Sequence, residues 1–140
     1  MELAEAIAFA RARSEGVLTT LRRDGRPQLS NIVYRLDGDD IRISVTDQRA
    51  KTRNLRRDPR GSLYVPGDSF WAYVVLDGTV ELSDVARDPH DAVVDELVTL
   101  YRDVRGEEHP DWDEYRRAMV ADGRVVARLH PTHAYGMIGR

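Results

Sequence analysis

The chain has 140 residues, 41% of them hydrophobic and 32% charged, which is the composition of a globular protein long enough to bury a core. Its net charge of -3 argues against general nucleic-acid binding, for which a basic domain is expected. The absence of cysteine excludes disulfides, thiolate metal sites and a cysteine nucleophile.

The chain carries no apolar run of membrane-spanning length, and residues 1–13 lack the apolar core of a signal peptide. We therefore expect a cytoplasmic protein that does not act at a membrane. No internal repeat or low-complexity linker divides the sequence. One domain is expected over residues 1–140.

The first half of the chain predicts a helix followed by a meander of strands. Apolar residues at helical spacing open the chain, and Asp24-Gly25 between two β-rich runs is a strong hairpin signal. In chain order these elements are a helix over 3–10, strands over 17–22 and 27–36, a turn at 37–39 and a strand over 41–46.

The second half alternates predicted strands with helices. Asp77-Gly78 is a second hairpin signal, and Asp88-Pro89 is typical of a helix start. The elements are a surface helix over 49–57, strands over 61–65, 70–76 and 79–82, a helix after 89, a short helix ending near 123, and a last strand over 124–138 interrupted at Pro131. Six or seven strands joined by tight turns favour a mainly β protein, an antiparallel barrel or sandwich with inserted helices.

The densest basic stretch runs from Arg49 to Arg60 and contains Lys51, the single lysine beside twenty arginines. A position that keeps lysine in so arginine-rich a chain indicates a need for a compact ammonium. A strand, then a helix start, then cations is the layout of an anion site, most simply one for phosphate. Arg49, Lys51 and Arg53 would reach the anion, with Asn54 as a neutral donor. The alternative is a solvated helix face, which charge runs usually are.

Two further groups of polar residues bear on this site. Ser44 and Thr46 place two hydroxyls on one strand face just before the helix, where they would donate to a phosphate. Asn31 and Ser30 lie mid-strand, where asparagine is disfavoured, and Asn31 would hydrogen-bond a planar ring. The alternative for Asn31 is a polar residue on an edge strand facing water.

Other catalytic patterns are missing from the sequence. The four histidines are scattered without the grouped ligands of a metal site, so no metal is expected. There is no Walker-type loop, no GxGxxG motif and no GxSxG elbow. Catalytic residues therefore stay unknown, and an anionic cofactor would have to supply the chemistry.

Five segments together resemble a known family: residues 16–34, 41–46, 49–60, 77–82 and 124–136. They resemble the flavin-binding split β-barrel family, the pyridoxamine-phosphate-oxidase-like superfamily. The likeness is to its actinobacterial branch, which uses the deazaflavin coenzyme F420 in place of FMN. The resemblance runs in order over nearly the whole chain. It implies an antiparallel split β-barrel and a homodimer with cofactor sites at the subunit interface.

The resemblance also implies roles for particular residues. Four residues would line the isoalloxazine-like ring, largely through backbone groups: Ser30, Asn31, Ile32 and Val33. The cofactor phosphate would be held by Ser44, Val45, Thr46, Arg49 and Lys51. Trp71 would lie near the dimer interface. On electrostatic grounds alone, Arg53, Arg56 and Arg57 would reach the acidic oligoglutamate tail of F420.

The expected activity is an F420-dependent oxidoreductase that transfers a hydride between the deazaflavin and an unsaturated or conjugated small molecule. One alternative is an FMN-dependent enzyme of the same fold. Another is a non-catalytic protein that stores or carries F420 or a flavin. The family's C-terminal Arg-x-His motif for a substrate phosphate is not evident in residues 136–140, so pyridoxamine phosphate is not the expected substrate.

Overall fold

The computed structural model describes residues 1–139, which form four helices and seven strands. The helices are α1 (Leu3–Arg11), α2 (Ala50–Arg57), α3 (Ala92–Arg105) and α4 (Trp112–Asp122). The strands are β1 (Glu15–Leu21), β2 (Pro27–Val33), β3 (Arg35–Asp37), β4 (Asp40–Thr46), β5 (Arg60–Pro66), β6 (Tyr73–Leu82) and β7 (Arg124–Met137).

All strands belong to one antiparallel sheet in the order β2-β1-β5-β6-β7-β4-β3. Strands at opposite ends of this order approach each other, because β2 contacts β4, and the sheet is therefore curled into a half-barrel. The predicted mainly β fold of the split-barrel type is confirmed. Over residues 1–139, no helix has both the length and the apolar character needed to cross a membrane.

The main core packs against the curled sheet and includes the buried face of α1. The alternating burial of β4 places Ile41, Ile43 and Val45 inside, as the sequence pattern predicts. Tyr34 is fully buried, and its hydroxyl donates to the carbonyl of Ala10 on α1 at 2.7 Å. That hydrogen bond satisfies the phenol and fixes α1 against the strands.

A second, smaller apolar cluster lies under α3 and α4. Val94 and Leu97 of α3 and Met119 of α4 pack there against Val126 of β7. Asp91 caps the start of α3 and Asp111 that of α4, and each of these two helices ends at a glycine in the left-handed conformation. The two helices thus form a separate layer over the β4–β7 side of the sheet.

The predicted hairpin at Asp77-Gly78 is wrong. These residues lie inside β6, which runs unbroken and pairs along its length with β7. The register shifts between Asp77 and Gly78, opposite Pro131, which marks a β-bulge. Glycine is required there because a Cβ on Gly78 would overlap the carbonyl of His130. The same bulge lets β7 continue past Pro131, where an interruption is expected from the sequence.

Two further boundaries differ from the prediction. The strand expected over 27–36 is divided at Tyr34, whose N–H donates to the carbonyl of Ser14 while its side chain enters the core. The helix expected after Asp88-Pro89 begins at Ala92. The cap is Asp91, which accepts hydrogen bonds from the backbone N–H groups of Arg87, Asp88 and Val94.

A histidine on β7 gives the fold a pH dependence. His130 lies between Asp40 (Nδ1–Oδ1, 2.8 Å) and Glu81 (Nε2–Oε2, 3.3 Å), and the hydrogen bond with Asp40 raises its pKa above the ordinary value. A raised folded-state pKa stabilises the fold fully below the ordinary value of 6.5, and this stabilisation is lost as the pH rises through the folded value. We predict that His130→Gln lowers the free energy of unfolding more at pH 5.5 than at pH 9.

Urea denaturation at the two pH values measures this difference. His90→Gln is the matched control, because only the backbone N–H of His90, not its ring, makes a hydrogen bond with Asp88. An equal effect of His130→Gln at both pH values would contradict the assignment.

Candidate functional site

A cavity of about 400 Å³ lies where the sheet meets the α3–α4 layer. Among the residues that line it are five from the predicted site region: Asn31, Ile32, Val33, Ser44 and Lys51. The sheet therefore brings β2, the end of β4 and the start of α2 to one place. These are the elements that the sequence assigns to ring and phosphate binding.

The start of α2 has the features of an anion site. Arg49 is its N-cap residue and makes no side-chain cap hydrogen bond, and the first turn contains no acidic residue. The first N–H groups of a helix have no partner within the helix and carry a partial positive charge. The turn is held in place because the buried Thr52 hydroxyl donates to the Thr46 carbonyl at 2.7 Å.

Three cations meet at this helix start. Lys51 is half-buried, and burial, followed by the fields of Arg49 and Arg124, lowers its pKa below the ordinary value. Arg124 is the first residue of β7 and lies opposite Thr46 at the end of β4, and its Nε is also 3.3 Å from a carboxylate oxygen of Asp122. Like charges brought together beside unpaired helix N–H groups favour a bound anion.

The β2 strand offers backbone groups to a planar ligand. In the described sheet its one neighbour is β1, so its other edge is free. The N–H of Tyr34 donates to the carbonyl of Ser14, and antiparallel pairs alternate between bonded and non-bonded. Asn31 and Val33 therefore direct their N–H and C=O groups away from β1, toward the free edge. Their side chains are also exposed.

The structure places the other predicted site residues in different surroundings. Val45 is 1% exposed and faces the core, so only its backbone is near the helix start. The Thr46 carbonyl already accepts from Thr52 and from the N–H of Arg49. Ser30 is half-buried on the inner face of β2. Trp71 is 67% exposed, stacks edge-on against Phe70 and does not line this cavity.

Asn54 does not serve the anion site. It is 7% exposed, its Nδ2 donates to the Thr20 hydroxyl at 3.1 Å, and its Oδ1 accepts from Arg57 at 3.2 Å. The side chain therefore anchors α2 to β1. Sequence reasoning identified it as a donor to the anion because it could not tell which face of the helix the sheet covers.

Arg53 lies in a second depression, beside the first. Arg23 from the β1–β2 turn and Arg56 and Arg57 from α2 line it with Arg53. Arg56 pairs with Asp47, and Arg57 donates to the Leu21 carbonyl at 2.6 Å. Within residues 1–139 the side chains of Arg23 and Arg53 make neither an ion pair nor a hydrogen bond.

Sequence reasoning missed Arg124 and the helical wall of the cavity. The wall includes Tyr101 and Arg105 of α3 and Tyr115 of α4. Burial raises the pKa of Tyr115 to about 12, and its hydroxyl donates to the Leu97 carbonyl at 3.0 Å. The spacing of the tyrosines is that of an ordinary helix face, and nothing in the local sequence pattern pairs Arg124 with Thr46. The described residues contain no cluster of three or more potential metal ligands.

Comparison with known proteins identifies the family. The family model described as pyridoxamine 5'-phosphate oxidase matches residues 3–137. The chain belongs to this family. The match covers every strand and helix of the half-barrel, including both sides of the cavity.

Solved structures with the same fold belong to proteins whose names refer to different ligands. An F420 reductase is 26% identical, with 91% of this chain and 94% of that chain covered and a TM-score of 0.64. A heme binding protein from Mycobacterium smegmatis is 25% identical over 100% of this chain and 56% of that chain, with a TM-score of 0.69. An FMN binding protein from Nostoc punctiforme is 16% identical over 94% and 80%, with a TM-score of 0.64, and shows the fold alone.

Removing a cation from this cluster should have opposite effects on the stability of the ligand-free protein and on phosphate binding. A lowered folded-state pKa means that the unfolded chain holds the Lys51 proton more tightly, so charged Lys51 destabilises the ligand-free fold at neutral pH. This penalty disappears as the pH rises through the ordinary value of 10.5. We predict that Lys51→Ala leaves the ligand-free protein at least as stable at pH 7, yet weakens inorganic phosphate binding about tenfold or more.

Urea denaturation and phosphate titration of the same preparations check both parts. Arg117→Ala, which removes an exposed cation of α4 outside the cavity, is the control. Unchanged phosphate affinity in Lys51→Ala would remove this residue from the site.

Proposed function

We propose that the protein is an F420-dependent oxidoreductase that works as a homodimer and transfers a hydride between the deazaflavin and an unsaturated or conjugated organic molecule. The observation that carries the proposal is the cluster of Arg49, Lys51 and Arg124 at the uncapped start of α2. It adjoins the cavity, and the free β2 edge lies along the same cavity.

The described residues fit a cofactor with a phosphate and a planar ring. Lys51 and Arg124, the Ser44 hydroxyl and the N–H groups of the first α2 turn would hold the phosphate. The outward N–H and C=O groups of Asn31 and Val33 match the alternating donors and acceptors along the edge of a flavin-type ring. A cavity of about 400 Å³ is of ordinary size for a small-molecule site.

The second depression favours F420 over FMN. FMN ends at its phosphate, whereas F420 continues into a chain of glutamates. Arg23 and Arg53 are cations without a partner among the described residues, and they lie next to the phosphate site on the same helix or the adjoining turn. Cations held apart from acids are suited to a polycarboxylate. Arg56 already pairs with Asp47, and Arg57 already donates to the Leu21 carbonyl. These two arginines would therefore contribute less to binding the glutamate tail.

F420 in its reduced form, held at its phosphate by Lys51 and Arg124, would supply the hydride for one carbon of a conjugated double bond, with solvent as the source of the proton for the other carbon. The chain holds the ring edge on β2 and the phosphate on α2, so the ring is oriented before the substrate arrives. The α3–α4 wall excludes water from the reacting face. Tyr115 stays protonated at neutral pH because its pKa is about 12, and its hydroxyl is engaged with Leu97.

A haem ligand has less support from this site. Haem iron is commonly held by histidine. No histidine lines the cavity among residues 1–139.

The homodimer is supported by an apolar face on the convex side of the sheet. Leu29 is 59% exposed and Tyr135 48%, and they share a depression of about 490 Å³ with Val17, Tyr64 and Val75. A continuous apolar surface of this kind on a soluble protein indicates a protein contact. A two-fold arrangement would bury the same face on both copies.

The cofactor assignment is tested by titrating purified protein with F420, with FMN and with the glutamate-free form of F420. We predict binding in the order F420, then the glutamate-free form, then FMN. Because the tail contributes by charge, the advantage of the full tail should shrink as salt is raised from 0.05 to 0.5 M, a range that shortens the screening length severalfold. Tighter binding of FMN would overturn the F420 assignment.

Arg53→Ala tests the tail site separately. We predict a loss of about threefold to tenfold in F420 affinity and no change for the glutamate-free form, since an exposed ion pair contributes up to about 1 kcal/mol. Arg60→Ala is the matched control, because Arg60 is exposed and pairs with Asp58 through two hydrogen bonds. Equal losses for both cofactor forms would place Arg53 at the phosphate.

The dimer is tested by light scattering after size exclusion. We predict that Tyr135→Asp yields monomers, because it places a charge in the apolar face, whereas the wild-type protein is dimeric. An unchanged far-UV circular dichroism spectrum and a cooperative urea transition would show that the variant is folded. A monomeric wild-type protein at micromolar concentration would contradict the proposal. Tight F420 binding without turnover of enones or quinones would favour a carrier over an enzyme.

A further inference from the structure

We propose that the α3 side of the cavity recognises a carboxylate on a flat, conjugated substrate, with Arg105 as the anchoring cation. This inference rests on the proposed function and names the substrate class for the same site. It comes from three features of the wall: its apolar and aromatic lining, an uncommitted guanidinium at its edge, and the separation of that guanidinium from the phosphate cluster.

The wall itself favours a flat apolar body. Leu100 and Val104 of α3 and Met119 of α4 line the cavity together with the rings of Tyr101 and Tyr115. The two rings meet edge to face, with centroids 5.1 Å apart. Aliphatic and aromatic groups opposite a planar cofactor would hold a conjugated molecule by burial and stacking rather than by many hydrogen bonds.

Arg105 is the free cation of this wall within residues 1–139. Its guanidinium carbon lies 5.4 Å from the centroid of Tyr101, and the side chain makes no ion pair or hydrogen bond with a described residue. Arg102, one turn earlier on α3, forms two hydrogen bonds with Glu108 instead. Arg102 also does not line the cavity. A planar fork resting against a ring and open on its other side is suited to a carboxylate.

Arg105 lines the same cavity as the proposed phosphate cluster but comes from a different structural element. The cations whose fields lower the pKa of Lys51 are Arg49 and Arg124. Those residues come from the α2 start and from β7, whereas Arg105 is the last residue of α3. The cavity therefore has cations on two different walls. The cofactor phosphate would be held by the cations of one wall, Lys51 and Arg124. Arg105 on the other wall remains for an anionic group on the substrate.

The test uses F420-saturated protein and matched acid–amide pairs: trans-cinnamate with trans-cinnamamide, and 3-(2-naphthyl)acrylate with its amide. Dissociation constants are measured by calorimetry for the wild type, Arg105→Ala and Arg102→Ala. We expect the wild type to bind each acid at least tenfold more tightly than its amide. Arg105→Ala should lose this preference and Arg102→Ala should keep it, with F420 affinity unchanged in both.

Equal binding of acid and amide by the wild type, or binding of neither, would overturn the proposal. A preference that survives in Arg105→Ala would do the same. Weakened F420 binding in Arg105→Ala with an unchanged acid preference would assign Arg105 to the cofactor instead. If the wild type fails to bind F420, the proposed function fails, and the same pairs measured on cofactor-free protein still decide whether Arg105 selects acids.

Discussion

The site depends on one unfavourable arrangement, the gathering of Arg49, Lys51 and Arg124 at a helix start that has no acidic cap. Burial and the two neighbouring guanidinium groups lower the pKa of Lys51, so the ligand-free protein holds this lysine in a poor environment. A bound phosphate anion would offset the repulsion between these three cations. Groups that cost stability in the free protein and interact favourably only with ligand are typical of binding sites.

The rest of the fold holds these cations together against their repulsion. The Thr52 hydroxyl ties the first turn of α2 to the last carbonyl of β4, and Asn54 ties the same helix to Thr20 of β1. Strand β7 delivers Arg124 opposite Thr46 because its register against β4 continues to its first residue. The site is therefore built on paired strands and a doubly anchored helix, a rigid base for a cofactor.

The two sides of the cavity have different parts in function. The sheet side carries the cations of the proposed phosphate site and the free β2 edge, which would suit any flavin-like cofactor. The α3–α4 side rests on its own apolar cluster around Leu97 and Val126, which is separate from the main core. Solved structures similar to this one have names that refer to F420, heme and FMN, so the fold alone does not determine the ligand.

The sequence predicts local features well and long-range ones poorly. Alternation along β4 and the turn at Asp24-Gly25 are local signals, and both are confirmed. Asp77-Gly78 has the same dipeptide as that turn but forms a bulge, because its outcome depends on pairing with β7, some 50 residues later. Only the tertiary pairing distinguishes the two cases.

The candidate site shows the same division. Lys51 and Ser44 are apparent from composition and spacing, and both line the cavity. Arg124 is not apparent, because its position depends on the β4–β7 register. Asn54 was misassigned since the buried face of a short helix with few apolar residues cannot be read from its sequence.

The central claim is that F420 binds with its phosphate at the start of α2 and its ring along the free edge of β2. Amide chemical-shift mapping of the ¹⁵N-labelled protein with F420, beside inorganic phosphate, tests it most directly. The account predicts that both ligands shift the amides of Ala50, Lys51 and Thr52. F420 alone should also shift those of Asn31 and Val33. Shifts confined to other surfaces, or an F420 response that spares the α2 start, would contradict it.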